Sequence, residues 1–175
     1  MLIEALGQHL AIGGREEAVN LTMRDPKFWN VVSIRGPAEA RAPLVKPVRV
    51  HHALFDDAEA VVAGNEHQLA TSEDLASIFR FVDSVGREPL LIHCQLGMSR
   101  SPAVALALIC RQVAPRVEFM DDAVDILLSV RPKARPNLLV LRLGLAAFMD
   151  GPEATTYAAA LIEHSRIRPN RFKER

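Results

Sequence analysis

The chain has 175 residues, 49% of them hydrophobic and 24% charged, with a formal net charge of zero. That length suits one domain with its own core, and the balanced charge excludes a broad electrostatic attraction to nucleic acid or an anionic membrane surface. The N-terminal MLIEALGQHL lacks a basic n-region and does not read as a signal peptide; the longest apolar run, Ala103 to Cys110, is too short to span a bilayer; and two cysteines build no disulfide framework, so a reducing cytoplasm is expected.

Leu2 to Ile12 shows short apolar alternation ending at Gly13-Gly14, which predicts an edge strand and a turn. A short helix is expected over Arg15 to Leu21. The β-branched run Asn30 to Ile34, closed by Gly36-Pro37, predicts a strand, and Val48 to Phe55 predicts the next. Asp56-Asp57 then falls at the carboxyl end of that strand. Thr71-Ser-Glu-Asp74 carries a hydroxyl N-cap and first-turn acids, and Leu75, Ile78, Phe79 and Val82 recur at helical spacing up to Gly86. Leu90 to Ile92 reads as a buried central strand that stops at His93-Cys94. After a loop, Ser101-Pro102 opens an apolar helix from Ala103 to Val113. Phe119 to Val130 is amphipathic, Pro132 and Pro136 break the chain, and Asn137 caps a last helix from Leu138 to Met149. The expected fold is α/β: a mostly parallel central sheet flanked by helices. One domain is expected over residues 1–150, with an extension over 151–175. Five basic residues and one acid between Arg166 and Arg175 read as a solvated, frayed tail, or, more sharply, as a dock for a phosphorylated partner.

The segment His93-Cys-Gln-Leu-Gly-Met-Ser-Arg-Ser101 carries the chemistry. A strand end places Cys94 at the rim of the sheet, where sites of open α/β sheets lie. The short loop Gln95, Leu96, Gly97, Met98, Ser99 can turn several backbone N–H groups onto one point, as an anion nest, with the partial positive charge of the following helix added to it. Gly97 relieves the sterics of the turn. Arg100 can offer phosphate oxygens two parallel N–H bonds. The same field stabilises a Cys94 thiolate.

On these residues the segment resembles the protein tyrosine phosphatase superfamily, whose signature is His-Cys-x5-Arg-Ser/Thr; His93, Cys94, Gly97, Arg100 and Ser101 all fall in place. Size and a helical C-terminal half look like the compact dual-specificity branch, and like its prokaryotic relatives. The resemblance covers roughly residues 30 to 149, to which the first thirty residues and the tail add little. It implies that Cys94 attacks phosphorus to form a phosphocysteine. An Asp protonates the leaving oxygen and then activates water, Ser101 hydrogen-bonds the departing thiolate, and neither metal nor cofactor is needed. Both Asp56 and Asp57 fit the place of that acid. Asp57, which continues the alternation of Ala53 and Phe55, is preferred.

Blander readings stand beside these. His93 is expected to position the loop rather than carry protons, and Asn137 to cap a helix, with bracing of the loop as a second role. Cys110 lies about 15 Å along a helix from Arg100, beyond the ~7 Å reach of a disulfide, and reads as core. His51, His52 and His67 match no closed zinc site. The resemblance implies a phosphorylated protein or small molecule as partner, with phosphate or sulfate held in the loop, and no nucleic acid. Gln95, Leu96, Met98 and Ser99 lack the lysines that relatives acting on polyphosphoinositides place there, which argues against that substrate, and the resemblance implies a shallow pocket that admits phosphotyrosine, with phosphoserine or phosphothreonine beside it. A phospholipid or other small phosphorylated molecule, a phosphate-binding pseudophosphatase, and an arsenate reductase or rhodanese-like transferase are the alternatives.

Overall fold

The computed structural model describes residues 2–3, 7–64, 66–113 and 119–172. A five-stranded sheet runs in the order β1-β2-β5-β3-β4, where β1 is Leu2–Ile3, β2 Gln8–Gly13, β3 Asn30–Arg35, β4 Arg49–Leu54 and β5 Leu90–His93. β2, β5, β3 and β4 are parallel, and β1 pairs antiparallel with β2. The central strands β3 and β5 are buried along almost their whole length, as strands covered on both faces must be. The stretch expected as one edge strand is therefore two strands where described. β2 lies inside the sheet because β1 adds to its outer side.

Helix α1, Arg15–Arg24, covers one face, where Ala18 packs with Trp29, Val31 and Leu91. It runs a turn beyond the expected Leu21. The other face carries α2 (Ser72–Val85), α3 (Arg100–Val113), α4 (Met120–Val130), α5 (Leu138–Leu145) and α6 (Gly151–Glu163), whose apolar faces meet in one core. α2 starts at the predicted Thr71 N-cap, and Asp74 completes a capping box with it: Thr71 Oγ1 accepts from the Asp74 N–H at 3.2 Å, and the Asp74 carboxylate accepts from the Thr71 N–H at 2.8 Å. α3 is buried on all sides from Arg100 to Cys110, which is why its sequence is apolar all round. It begins at Arg100 rather than at Ser101-Pro102. At Gly144 a Cβ would sit 2.7 Å from that of Ala107, so a side chain there would push α5 off α3.

α5 stops at Leu145, short of the predicted Met149, and residues 146–149 form turns. The stretch read as an extension packs into the same core. Ala154, Ala158, Leu161 and Ile167 are fully buried, and a short helix, α7 (Arg168–Arg171), follows. The tail is tied down as far as Arg171. Arg166 pairs with Asp121 and Asp125, and Asn170 Nδ2 donates to the carbonyls of Pro132 and Ala134 at 2.9 and 3.0 Å. Among the described residues no helix is long and apolar enough to cross a membrane.

Candidate active site

The segments that follow β3, β4 and β5 and the start of α3 converge on a cleft of about 340 Å³ lined by Cys94, Arg100, Asp57 and Asn137, among others. Cys94 follows directly on β5, and its N–H donates to Gly13 O at 3.3 Å. Its side chain is only 3% exposed. The sulfur receives two hydrogen bonds, from the Gly97 N–H at 3.3 Å and the Ser101 hydroxyl at 3.2 Å.

The carbonyls of the 94–100 loop explain why its N–H groups turn inward. Gln95 O accepts from the Arg15 N–H at 3.1 Å. Leu96 O and Gly97 O accept from the Arg131 guanidinium at 3.1 and 2.8 Å. Met98 O accepts from the Arg135 N–H at 2.8 Å, and Ser99 O from the N–H groups of Ala103 and Asn137 at 3.1 and 3.3 Å. In a trans peptide the N–H points opposite to the C=O. Five carbonyls held from outside therefore leave the N–H groups of Leu96 to Arg100 directed toward the inside of the loop. Gly97 completes the turn at φ 71°, and a Cβ there would run into the backbone of Gly13 and Gly14. Only glycine satisfies both demands.

Arg100 is 3% exposed. Its Nη1 donates to Phe55 O at 3.0 Å and its Nη2 to Glu39 Oε1 at 2.7 Å. Nε is buried with no partner among the described residues. Three of the five guanidinium N–H bonds thus remain uncommitted while the group itself is fixed. Burial works against the charge of Arg100, but the Glu39 hydrogen bond and the nearby Cys94 and Asp57 more than offset it, so its pKa lies above the ordinary value. For Glu39, burial raises the pKa; the hydrogen bonds from Arg100 and from the Gly36 N–H outweigh that and hold it below the usual carboxylate range.

The two aspartates separate cleanly. Asp57 lines the cleft, and its Oδ1 accepts from the Ser99 hydroxyl at 2.6 Å and from Asn137 Nδ2 at 3.0 Å. Asp56 is not among the lining residues; its carboxylate accepts from the Gln68 N–H at 2.9 Å and lies 3.8 Å from His67, bracing the connection that returns to α2. Asn137 touches both a helix and the loop. Its Oδ1 caps α5 through the Val140 N–H at 3.0 Å, while its backbone N–H holds Ser99. His93 Nδ1 lies 3.4 Å from Cys94 O, and burial pushes its pKa down to about 4 against that hydrogen bond, so it is neutral at ordinary pH. Gln95, Leu96, Met98 and Ser99 line the cleft as loop residues. Cys110 is fully buried in the core, where desolvation pushes its pKa to about 12 despite a hydrogen bond with Tyr157. Among the described residues no group of three or more His, Cys, Asp or Glu is placed to hold a metal ion.

Several site residues carry no signal in the sequence. Glu39 follows Gly36 in an irregular loop. Arg131 links the 94–100 loop to Glu17 of α1, whose Oε1 it meets at 2.7 Å and whose Oε2 accepts the Gly14 N–H at 2.6 Å. Arg135, Glu59 and Arg171 line the outer cleft. All of these reach the site only through the fold.

No protein-family model matches the chain, and no curated protein matches its sequence. Solved structures do. DUSP15 is 18% identical with a TM-score of 0.59, covering 94% of this chain and 94% of its own. The human tyrosine phosphatase-like serine/threonine/tyrosine-interacting protein is 18% identical with a TM-score of 0.57, over 84% of this chain and 93% of its own. PTPMT1, in complex with PI(5)P, is 14% identical with a TM-score of 0.53, over 86% and 93%. The chain has the fold of the compact tyrosine and dual-specificity phosphatases.

Proposed function

We propose that the protein is a cysteine-dependent phosphatase that hydrolyses phosphate monoesters through a phosphocysteine. The observation that carries this reading is the pair of donors on the Cys94 sulfur inside a loop whose carbonyls are all held outward. A phosphate dianion placed there meets converging N–H groups, a helix N-terminus and Arg100, the preorganised field that phosphoryl transfer requires. The Cys94 thiolate attacks phosphorus, the P–O ester bond breaks, and Asp57 gives its proton to the leaving oxygen. Water then attacks the phosphocysteine, Asp57 takes a proton from it, and sulfur leaves as a thiolate held by Ser101 and Gly97. That Asp57 lines the cleft, while Asp56 is not among the described residues lining it, supports Asp57 over Asp56 for this role. Ser99 and Asn137 orient it. Phosphotyrosine is the first substrate to offer, with phosphoserine and phosphothreonine as comparisons; two unpaired cysteines suit a reducing compartment such as the cytoplasm.

A phospholipid substrate is the second reading. It is favoured by the similarity to PTPMT1 solved with PI(5)P, and by Leu96, 55% exposed at the mouth of the cleft. Hydrolysis of para-nitrophenyl phosphate by the wild type and by Cys94→Ser tests the enzyme reading. The wild type is expected to turn over and the variant to be inactive; phosphate binding without turnover in the wild type would instead indicate a pseudophosphatase. A panel of phosphopeptides and phosphoinositide vesicles then separates the two substrate classes.

A further inference from the structure

The outer wall of the cleft is lined by two arginines. Arg135 lines it, anchored to the 94–100 loop by its N–H bond to Met98 O at 2.8 Å. Arg171 lines it too, its Nη1 donating to the carbonyl of Pro136, the next residue, at 2.8 Å. The C-terminal segment builds this wall. Ile167 is buried, and Asn170 and Arg171 between them bind the carbonyls of Pro132, Ala134 and Pro136. That places the 132–136 loop, and with it Arg135.

Every carboxylate in the cleft is already committed. Glu39 serves Arg100 and the Gly36 N–H, and Asp57 serves Ser99 and Asn137. Glu59 Oε1 accepts from the Leu138 N–H at 2.8 Å and from Arg171 Nη2 at 3.3 Å. The Arg135 guanidinium enters no side-chain hydrogen bond or ion pair among the described residues. An arginine anchored through its backbone, lining the same cleft as a second arginine and lacking a carboxylate partner among the described residues, is a site for a planar or tetrahedral oxyanion.

Resting on the phosphatase reading, we infer that Arg135 and Arg171 form a second anion subsite, and that the substrate is a phosphomonoester carrying a further phosphate or carboxylate group. The ester phosphate occupies the Cys94 loop, and the second anion lies against Arg135 with Arg171 behind it. The C-terminal segment is thus a specificity element. Arg135 supplies the uncommitted donors, and Arg171 sets the wall and adds charge.

Calorimetric titration of the full chain with orthophosphate and with methylenediphosphonate tests the subsite without turnover. The ratio of the two dissociation constants is the readout, so a general loss of fold or of loop affinity cancels within each variant. The wild type is expected to prefer the diphosphonate by roughly tenfold or more, as for a charge-assisted contact. Arg135→Gln is expected to bring the ratio close to one, and Arg171→Gln to reduce it by several-fold. A wild-type ratio near one, or a preference that survives Arg135→Gln, overturns the inference. Two kinetic arms identify the source of the second anion: phosphotyrosine peptides with Glu against Ala beside the phosphotyrosine, and a hexose bisphosphate against its monophosphate. The pair with an Arg135-dependent preference in kcat/KM names the source, and no such preference in either pair counts against the subsite. Absence of para-nitrophenyl phosphate turnover alongside an intact diphosphonate ratio would instead sink the phosphatase reading and leave the subsite standing.

Discussion

Two sets of residues make this site, and they differ in how they reach it. The segment from His93 to Ser101 is contiguous: strand end, loop and helix start deliver Cys94, the inward N–H groups, Arg100 and Ser101 as one piece. The second set comes from afar. Glu17, Glu39, Asp57, Arg131 and Asn137 lie 37 to 77 positions away from Cys94 in sequence and act on the loop from outside. In the proposed reaction the contiguous set holds the groups that meet phosphate, and the distant set holds carbonyls, a guanidinium and a proton donor in place. Chemistry written in nine neighbouring residues still depends on clamps supplied by the rest of the fold.

That division predicts a graded series of effects. Among loop substitutions that leave Cys94 and Arg100 in place, Gly97→Ala should be the most damaging, because a Cβ there meets the Gly13-Gly14 backbone at a positive φ. It is expected to lower kcat/KM for para-nitrophenyl phosphate by at least ~100-fold, the scale of losing preorganised donors. Retention of wild-type activity would mean that the turn is not required. Asp57→Asn comes next, with a loss of about 10²-fold or more and removal of the alkaline limb of the pH-rate profile, where a general acid would be deprotonated. Asp56→Asn should keep that limb. If the two aspartates exchange these phenotypes, the assignment from cleft geometry is wrong.

The distant clamps sharpen the comparison. Arg131→Gln frees the carbonyls of Leu96 and Gly97 and is expected to cost roughly tenfold in kcat/KM, two hydrogen bonds from a charged donor being lost. Glu17→Gln should cost less, since the Gly14 N–H contact survives. A loss with Arg131→Gln as large as with Gly97→Ala would erase the distinction between loop and clamp. Glu39→Gln is a test by pH. The folded-state pKa of Glu39 is depressed, so its stabilising contribution is present above the unfolded value and disappears as pH falls through the lower folded value. The variant should therefore lose less stability than wild type as pH falls through that range, measured by denaturant titration.

The same contrast governs what could be read from the sequence. Elements set by local physics were legible: the Thr71 N-cap, the central strand at Leu90, the Asn137 cap and the apolar helix after Arg100. The Cys94–Arg100 spacing was legible for the same reason, and alternation along β4 pointed to Asp57 because residues on one face of a strand share a destination. Glu39 and Arg131 were not legible, since only the tertiary fold brings them to Arg100 and the loop carbonyls. The packing of the C-terminal segment was not legible for a related reason. α6 buries its Ala154, Ala158 and Leu161 stripe beside Thr and Glu residues, a face too thin and small-sided to stand out, and its partner α5 is a separate element. Leu161→Ala should reveal that burial, with a loss of about 2–5 kcal/mol in denaturant titrations; a loss near zero would return residues 151–172 to the status of an appendage.

The central claim is that the Cys94 sulfur becomes covalently phosphorylated. Rapid acid quenching during turnover of para-nitrophenyl phosphate, followed by mass spectrometry of the peptide containing Cys94, tests it directly. Phosphate is expected on Cys94, to accumulate further in Asp57→Asn with this activated leaving group, and to be missing in Cys94→Ser. Turnover at the wild-type rate in Cys94→Ser, or a phosphorylated residue other than Cys94, would contradict the account.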